Sequence, residues 1–268
     1  MIPKIIHFVW LGNNEKPDYV LRCMESWKKY CPDYTIMEWG NDSLKDISCP
    51  YVHQAVANKK WAFASDVIRL KALYEYGGIY VDTDVEITAS LDEFISYNFV
   101  SCAEDYKGAI LPMLTAFIAA SPRHHIIKDL VQEYEGINFI TNGIIDQTPN
   151  TIRFKRYFKE KYGIAPPYNK TALYKLEDGA ILFPSSHFCI KEKGKPNYAI
   201  HHFEQSWLDP YNRHEIFSLG KFSLVRFKRR EKIPDGPLPV RETEDIVFVK
   251  KISAKRFVAL LKRKTPRI

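Results

Sequence analysis

The stretch ASDVIRLKALYEYGGIYVDTD, from Ala64 to Asp84, decides the predicted fold. Its first part repeats apolar residues every three or four positions, which predicts a helix with a buried face. Gly77 and Gly78 follow, at a place where helices often end on a left-handed residue. The apolar run after them predicts a short strand, and this strand ends on two carboxylates, Asp82 and Asp84. The chain thus passes from a helix into a strand that presents two like charges.

The segments before this stretch predict a strand–helix–strand unit. Residues 3–12 form an apolar run closed by a glycine and predict a buried strand. Residues 19–32 have helical spacing and end at a proline, and residues 34–40 predict a second strand. Such a unit is typical of an α/β protein with a parallel or mixed sheet.

The rest of the chain is predicted from weaker patterns. Residues 90–177 are predicted to be mostly helical, and residues 180–188 and 197–203 to be later strands. Residues 250–264 predict a short basic amphipathic helix. We therefore expect one domain over residues 1–218, with a helical insertion at about 90–177, and a basic extension over 219–268.

The basic charge of the protein is concentrated in that extension. The whole chain carries +7, whereas residues 219–268 hold 15 Lys and Arg against 5 Asp and Glu, a net charge of +10. Such asymmetry indicates a partner with an anionic surface, and a simple solvated helix face is the alternative. No RNP motif, zinc-finger spacing or helix-turn-helix is recognisable, so a nucleic-acid partner is not expected. An anionic membrane surface is the favoured partner.

Composition limits the class of protein further. The 268 residues are 46% hydrophobic, enough for one large core. Neither a signal peptide nor a membrane span is recognisable. The five cysteines are scattered without a C-x-x-C pair, which predicts free thiols. We expect a cytoplasmic protein, either free or peripheral on the inner face of the cell membrane.

The acidic pair indicates a metal, although a solvated strand end is the more common meaning of such a pair. Asp82 and Asp84 would point to the same face of a regular strand and repel each other unless a cation compensates them. Hard oxygen ligands suit Mg²⁺ or Mn²⁺, which in turn bind phosphate. Asp66 and Arg69 share a face of the preceding helix among apolar neighbours. Since ligands of open α/β sheets bind beyond the carboxyl ends of the strands, we expect this pair to lie near Asp82.

Three motifs carry a resemblance to a known family. The stretch Ala64–Asp84 resembles the sugar-donor-binding region of DXD-containing glycosyltransferases, in particular glycosyltransferase family 32. That family includes bacterial capsule and lipopolysaccharide enzymes related to the yeast initiating α-1,6-mannosyltransferase. Clostridial toxin glucosylating domains share its Asp…Arg…D-x-D spacing. Residues 2–12 are similar to the family's first strand, and residues 198–207 to its C-terminal His…Ser-Trp motif.

The resemblance implies a GT-A fold, a Rossmann-like mixed sheet flanked by helices, and a set of site residues. It implies that Asp66, Arg69, Asp82 and Asp84 are catalytic, and that Asp82, Asp84 and His201 bind Mn²⁺ or Mg²⁺. The neighbouring His202 is the alternative imidazole ligand. The nucleotide-sugar site implied by the resemblance comprises Val9, Trp10, Asp66, Arg69, Tyr80, Asp82, Thr83, Ser206 and Trp207.

The resemblance also implies a reaction. It predicts a metal-dependent retaining hexosyltransferase that uses a nucleotide sugar and a glycan or polyprenyl-linked acceptor in capsule or lipopolysaccharide synthesis. A UDP-sugar is favoured over GDP-mannose as donor. The alternatives are a toxin-like enzyme that acts on protein and a catalytically dead carbohydrate- or metal-binding module. Residues 90–182 match poorly, and Gln205 stands where the family usually has glycine.

Overall fold

The chain divides into two compact units, Met1–Glu204 and Gln205–Ile268. The boundary expected at residue 218 falls within the first strand of the second unit. The computed structural model describes residues 1–146, 148–204, 214–219, 222–232 and 240–250. The predicted helix over residues 250–264 lies, apart from its first residue, outside the described part of the chain.

The first unit alternates strands and helices. Its strands, numbered in chain order, are β1 (Ile5–Val9), β2 (Thr35–Trp39), β3 (Gly78–Val81), β4 (Val85–Ile87), β5 (Phe99–Cys102), β6 (Glu104–Tyr106), β7 (Ala109–Leu111), β8 (Phe117–Ala120), β9 (Ile140–Thr141), β10 (Ile144–Ile145), β11 (Tyr174–Lys175), β12 (Ala180–Phe183) and β13 (Ala199–His201). Its α-helices are α1 (Asp18–Tyr30), α2 (Pro50–Ala57), α3 (Trp61–Tyr76), α4 (His125–Gln132), α5 (Asn150–Tyr162) and α6 (Ser185–Phe188). Short 3₁₀ turns cover Asn41–Asp46, Asp92–Phe94 and Glu177–Gly179.

A seven-stranded mixed sheet forms the centre of the first unit. Its strand order is β11-β12-β5-β8-β3-β1-β2. The pairs β1–β2, β1–β3 and β12–β5 are parallel, whereas β11–β12, β3–β8 and β5–β8 are antiparallel. The predicted strand–helix–strand unit is confirmed as β1–α1–β2, and the predicted mixed α/β sheet flanked by helices is confirmed.

The core lies on both faces of this sheet because successive strand residues point to opposite sides. On β3, Ile79 and Val81 join the cluster that contains Trp27 of α1. Tyr80, between them, joins the other cluster, which contains Val67 and much of α3. The short central strands are therefore buried on both faces, and α3 packs against the face that carries Tyr80.

The two glycines set how α3 passes into β3. Gly77 has φ +62° and Gly78 has φ +104°, backbone that other residues rarely adopt. A Cβ on Gly77 would lie 2.6 Å from Pro122, and one on Gly78 would lie 2.7 Å from the carbonyl oxygen of Ile5. His7 adds a hydrogen bond from its ring to the Gly77 carbonyl oxygen, at 2.7 Å. The helix end and the following strand are thus fixed against β1.

Two predictions for the middle of the chain are wrong. Residues 90–177 are not mostly helical, since they contain the core strands β5 and β8 as well as α4 and α5. Both strands are four residues long and buried throughout, so they show no alternation that separates them from helix. Residues 180–188 are also only partly strand, because Pro184 ends β12 and begins α6.

The second unit contains a three-stranded antiparallel sheet. Its strands are β14 (His214–Leu219), β15 (Phe222–Lys232) and β16 (Val240–Lys250), in that order. The basic extension is therefore strand over these residues, whereas the helix predicted for residues 250–264 lies almost wholly outside the described part of the chain. The cross-strand register puts Lys228 opposite Glu244 and Arg230 opposite Glu242.

Two further expectations concern thiols and membranes. The five cysteines, Cys23, Cys31, Cys49, Cys102 and Cys189, are all buried and unpaired, which confirms the prediction of free thiols. Within the described ranges, none of the helices has the length and apolar character needed to cross a bilayer.

Candidate functional site

Asp82 and Asp84 lie in a tight turn between β3 and β4, not on the strand itself. The turn is closed by the backbone N–H of Val85, which donates to the carbonyl oxygen of Asp82 at 3.0 Å. The N–H of Asp82 donates to the carbonyl of Ala116 at 2.9 Å, which ties the turn to the residue before β8. The turn, rather than strand alternation, directs both carboxylates to the same region.

His201 lies beside Asp84 because β13 pairs with β4. In this antiparallel pair His201 is opposite Val85, the residue after Asp84. Its Nε2 lies 3.4 Å from Asp84 Oδ1, and the N–H of Glu204 donates to Asp84 Oδ2 at 2.9 Å. The ring of His202 instead contacts Glu86, at 3.0 Å. Of the two adjacent histidines, His201 is the one that faces the acidic turn.

The Asp84–His201 pair shifts the pKa values of both groups. Burial alone would raise the pKa of Asp84, but the hydrogen bond and charge of His201 hold it below 3.8. Burial likewise would lower the pKa of His201, and Asp84 followed by Asp82 raises it above its ordinary value of 6.5. The carboxylates of Asp84 and Asp82 therefore favour a cation at this position, here the protonated ring of His201.

Arg69 compensates the other carboxylate of the turn. Its Nη1 lies 3.2 Å from Asp82 Oδ1, and its Nη2 lies 3.1 Å from Asp66 Oδ1. The Arg69 side chain is only 5% exposed, so this is a buried ion cluster rather than a surface pair. The predicted approach of the Asp66–Arg69 helix face to the end of β3 is therefore what the structure shows.

The guanidinium of Arg69 also forms hydrogen bonds with uncharged groups. Beyond the two carboxylates, it donates to Ser65 O at 3.3 Å, to Ser65 Oγ at 3.2 Å and to Thr115 O at 2.8 Å. The contacts with Asp66 and Asp82 are ion pairs, whereas these three are hydrogen bonds. In this arrangement Arg69 is fixed on both sides and holds Asp66 and Asp82 in position.

Asp66 lies on α3, and its carboxylate faces the start of α5. Burial raises its pKa to about 6, against the lowering effect of Arg69. The N–H of Asn150, the first residue of α5, donates to Asp66 Oδ2 at 3.3 Å, where the positive end of the helix dipole favours a carboxylate. Asp66 is thus a carboxyl whose charge depends on its immediate neighbours.

Tyr80 supports Asp82 from the preceding strand. Its hydroxyl donates to Asp82 Oδ1 at 2.7 Å, and the Arg69 guanidinium lies 4.6 Å from the centre of its ring. Tyr80 is fully buried. In this position it orients Asp82.

The remaining predicted ligand residues lie near the carboxyl ends of β1 and β3 or outside the described residues. Val9 is buried at the end of β1, and Trp10 follows it with its indole N–H donating to Asn14 O at 3.0 Å. Thr83 is partly exposed at the centre of the acidic turn. Ser206 and Trp207 lie outside the described residues.

The chemistry of the acidic turn fits a divalent metal. One ligand atom from each of Asp82, Asp84 and His201 lies within 4.8 Å of the other two. Among the described residues, His201 Nδ1 is buried without a hydrogen-bond partner. Two carboxylates and an imidazole form a donor set that suits Mn²⁺, and Mg²⁺ less well.

Sequence reasoning did not identify Glu104. Burial and the nearby Asp82 raise the pKa of this β6 residue to about 7, against the lowering effect of His201. Tyr106, on the same face of β6, places its ring 5.0 Å from that of Phe203, which itself lies 3.9 Å from the His201 ring. No motif marks these residues, since only the hairpin between β6 and β7 brings them to the site.

Comparison with protein families identifies the segment that builds this site. Residues 17–100 match the family model "Glycosyltransferase sugar-binding region containing DXD motif". This segment is similar to the sugar-binding region of the DXD glycosyltransferases. It includes Asp66, Arg69 and the acidic turn, and the resemblance inferred from the motifs is confirmed.

Known relatives match parts of the chain. Inositol phosphoceramide mannosyltransferase 3 of Schizosaccharomyces pombe is 34% identical over 100 residues, 36% of this chain and 28% of the relative. The uncharacterized glycosyltransferase L373 of Acanthamoeba polyphaga mimivirus is 26% identical over 152 residues, 53% of this chain and 61% of the relative. The chain thus spans less than two thirds of either relative. The solved PaToxG glycosyltransferase is 20% identical and aligns with 60% of this chain and 71% of its own, with a TM-score of 0.43.

Proposed function

We propose that this protein is a divalent-metal-dependent retaining glycosyltransferase that moves a hexose or N-acetylhexosamine from a nucleotide sugar to a glycan or lipid-linked oligosaccharide. One observation carries the proposal: Asp82, Asp84 and His201 bring three ligand atoms within 4.8 Å of one another, and the two aspartates lie inside the matched DXD region. The buried Asp66–Arg69–Asp82 cluster beside them supplies a fixed carboxyl for sugar hydroxyls.

Each group has a role that follows from its position. A bound Mn²⁺, held by Asp82, Asp84 and His201, would supply Lewis-acid stabilisation of the departing diphosphate. Asp66 is placed to accept hydrogen bonds from donor hydroxyls, and Arg69 keeps Asp66 and Asp82 in position. Val9 is the last residue of β1, and Trp10 follows it. Both lie at the same end of the sheet as Asp82, and we place the nucleoside there.

Retention would proceed by front-face displacement. The bond from the anomeric carbon to the phosphate oxygen breaks as the bond to the acceptor oxygen forms on the same face. The departing phosphate oxygen takes the proton of the acceptor hydroxyl, so no separate base is needed. Mass spectrometry of the protein after incubation with donor alone tests this, and a covalent glycosyl adduct on Asp66 would contradict it.

The donor is proposed to be a UDP-sugar. The sequence spacing shared with toxin glucosylating domains supports this choice. The mannosyltransferase name of the Schizosaccharomyces pombe relative favours the second candidate, a mannosyl donor such as GDP-mannose. The two differ in the base and in the configuration of the sugar, so a panel of donors separates them.

The test is thermal stability of the full chain with Mn²⁺ and a panel of UDP- and GDP-sugars. We expect one donor to raise the Tm only when Mn²⁺ is present, since binding to the folded state alone stabilises it. Asp84→Asn should lose this rise, whereas Asp42→Asn, at an exposed carboxylate, should keep it. A rise in Tm that does not require Mn²⁺, or the absence of a rise with every donor, would contradict the proposal. A non-catalytic binding module would then be favoured.

The proposed acceptor and the proposed cellular location both rest on the positive charge of residues 219–268. The +10 excess of residues 219–268 would dock the protein on an anionic inner membrane face, where lipid-linked acceptors for capsule or lipopolysaccharide synthesis are found. Flotation with anionic and neutral liposomes, of the full chain and of a chain lacking residues 251–268, tests this. Equal flotation with both liposomes would contradict docking on an anionic membrane, and a soluble acceptor, such as a protein, would then be favoured.

A further inference from the structure

Glu104 is a carboxyl beside the acidic turn that has no role in the chemistry proposed above. Within the described ranges its side chain forms neither a hydrogen bond nor an ion pair, whereas Asp66, Asp82 and Asp84 all have such partners. Burial raises the pKa of Glu104 to about 7, because a carboxylate is less stable away from water. The residue is nevertheless partly exposed, and its oxygens are not fully enclosed. A carboxyl in this state is typical of a functional site, where a ligand supplies the missing partner.

Glu104 and Asp66 approach Asp82 from different elements. Glu104 is on β6, and the charges of His201 and Asp82 both act on its pKa. Asp66 is on α3, where the charges of Arg69 and then Asp82 act on it most strongly. Since Asp66 is assigned to the donor sugar and the metal ligands to its diphosphate, the side of the site formed by β6 is left for the acceptor.

Two aromatic rings continue the surface that Glu104 begins. Tyr106 lies two residues further along β6 and therefore on the same face of the strand. The centre of its ring lies 5.0 Å from that of Phe203, and the Phe203 ring lies 3.9 Å from the His201 ring. Tyr106 and Phe203, like Glu104, are partly exposed. A carboxylate beside two rings suits a sugar, because hydroxyl groups donate to the carboxylate while the carbon–hydrogen face of the sugar packs on a ring.

We infer that Glu104 binds the acceptor, by accepting a hydrogen bond from a hydroxyl group next to the one that reacts. The inference rests on the proposed function. The reacting hydroxyl still gives its proton to the departing phosphate oxygen, so Glu104 orients the acceptor and takes no part in the proton transfer. A sugar carries neighbouring hydroxyl groups, whereas a serine or threonine side chain carries only one. This contact therefore selects a glycan acceptor over a protein.

Paramagnetic relaxation of acceptor probes tests this contact without turnover. Methyl glycosides of glucose, galactose and mannose are added to the full chain with Mn²⁺ and, in turn, UDP and GDP, and Mg²⁺ gives the diamagnetic reference. We expect the wild type to enhance the proton relaxation of at least one glycoside, because the probe lies close to the metal. Glu104→Gln should weaken that binding about 3- to 10-fold, since an amide accepts a weaker hydrogen bond than a carboxylate. Glu160→Gln, at an exposed position on α5, is the matched control and should bind as the wild type does.

Two further measurements separate acceptor binding from a role of Glu104 in the fold or in the metal site. The Tm of Glu104→Gln should equal or exceed that of the wild type, because the substitution removes a partly buried charge and no protein partner. Its Mn²⁺ affinity should fall less than that of Asp84→Asn, since Glu104 is not one of the three grouped ligand residues. A clear loss of Tm would assign Glu104 to the fold, and an equal loss of Mn²⁺ affinity would assign it to the metal site. Either result would overturn the inference.

The probe results also separate this inference from the proposed function. Absence of enhancement with the wild type, or equal binding by wild type and Glu104→Gln, overturns the acceptor contact. Enhancement for a serine peptide but for no glycoside overturns it in favour of a protein acceptor. If the Mn²⁺-dependent donor response of the wild type is present in these cases, the proposed function stands without the contact. If the glycosides behave as expected but no donor raises the Tm, the transferase alone is overturned.

Discussion

Arg69 Nη1 lies 3.2 Å from Asp82 Oδ1 and joins helix α3 to the acidic turn. The same guanidinium holds Asp66 at 3.1 Å, so one buried cation compensates two carboxylates. The second carboxylate of the turn, Asp84, has its own partner in His201. The like charges of the D-x-D motif are therefore each matched by a separate positive group before any metal binds.

Removal of Arg69 should leave two buried carboxylates uncompensated. We expect Arg69→Met to lower the free energy of unfolding by about 3–5 kcal/mol, the usual cost of breaking a buried ion pair. Arg69→Lys should recover only part of this, since an ammonium cannot replace the five-donor fork. Chemical denaturation measures both. The exposed Arg22→Met is the control and should change stability by less than about 0.5 kcal/mol. A loss of similar size for Arg22→Met and Arg69→Met would contradict the role given to the cluster.

The Asp84–His201 pair predicts a pH dependence of the metal-free protein. The raised pKa of His201 gives stability that is fully present below pH 6.5 and is lost as the pH rises through the higher pKa of the folded state. The lowered pKa of Asp84 gives stability that is present above pH 3.8 and is lost as the pH falls. We expect the wild type to lose more Tm than His201→Gln between pH 6 and pH 9.

Other groups titrate in this region, so the difference between the two proteins is the quantity to measure. The pKa values of Asp66 and Glu104 are raised to about 6 and about 7, and both affect stability in each protein. Since a metal binds only the neutral imidazole, Mn²⁺ affinity of the wild type should rise over the same pH interval. Parallel Tm curves for wild type and His201→Gln would show that the pair contributes nothing.

Tyr80 should act on the metal site through Asp82. Tyr80→Phe removes the hydroxyl that donates to Asp82 Oδ1 and leaves the ring in the core. Loss of a group that orients a metal ligand typically lowers metal affinity about 10- to 100-fold, and we expect a fall in this range for Mn²⁺. Titration calorimetry measures it. Tyr76→Phe, on the same helix–strand unit but 39% exposed, should leave the affinity unchanged. Equal Mn²⁺ affinities in wild type and Tyr80→Phe would show that Tyr80 has no role in metal binding.

The two-glycine turn can be tested by comparison with a glycine in open space. Gly78→Ala and Gly108→Ala both place a side chain on a residue with positive φ. Only at Gly78 does the new Cβ meet backbone, 2.7 Å from Ile5 O, whereas nothing lies within 4 Å at Gly108. We expect Gly78→Ala to cost about 1–3 kcal/mol more than Gly108→Ala, the usual cost of overpacking. Equal losses, measured by denaturation, would show that β1 does not fix this turn.

The sequence predicted those parts of the site that depend on local pattern. The helical spacing of Asp66 and Arg69, the glycines after α3 and the position of β3 were enough to place the ion cluster at the end of a strand. The glycosyltransferase resemblance supplied His201, which lies more than a hundred residues away and has no local signal that points to Asp84.

The sequence failed where tertiary contacts decide the structure. Strands β5 and β8 are short and buried on both faces, so their apolar runs match helix as well as strand. The strand conformation predicted for Asp82–Asp84 was also wrong, because these residues form a turn that the N–H of Val85 closes. Glu104 reaches the site only because the hairpin of β6 and β7 folds there, and no spacing in the sequence reports that fold.

The central claim is that Asp82, Asp84 and His201 together hold a divalent metal. Titration of Mn²⁺ into the full chain, followed by the electron paramagnetic resonance signal of free Mn²⁺, tests it most directly. We expect the wild type, together with the nucleoside diphosphate of its donor, to remove one equivalent of the free Mn²⁺ signal. We expect Asp84→Asn and His201→Gln to bind Mn²⁺ at least about 10-fold more weakly, and Asp42→Asn to bind it as the wild type does. Undiminished free signal with the wild type, or equal binding by all four proteins, would contradict the account.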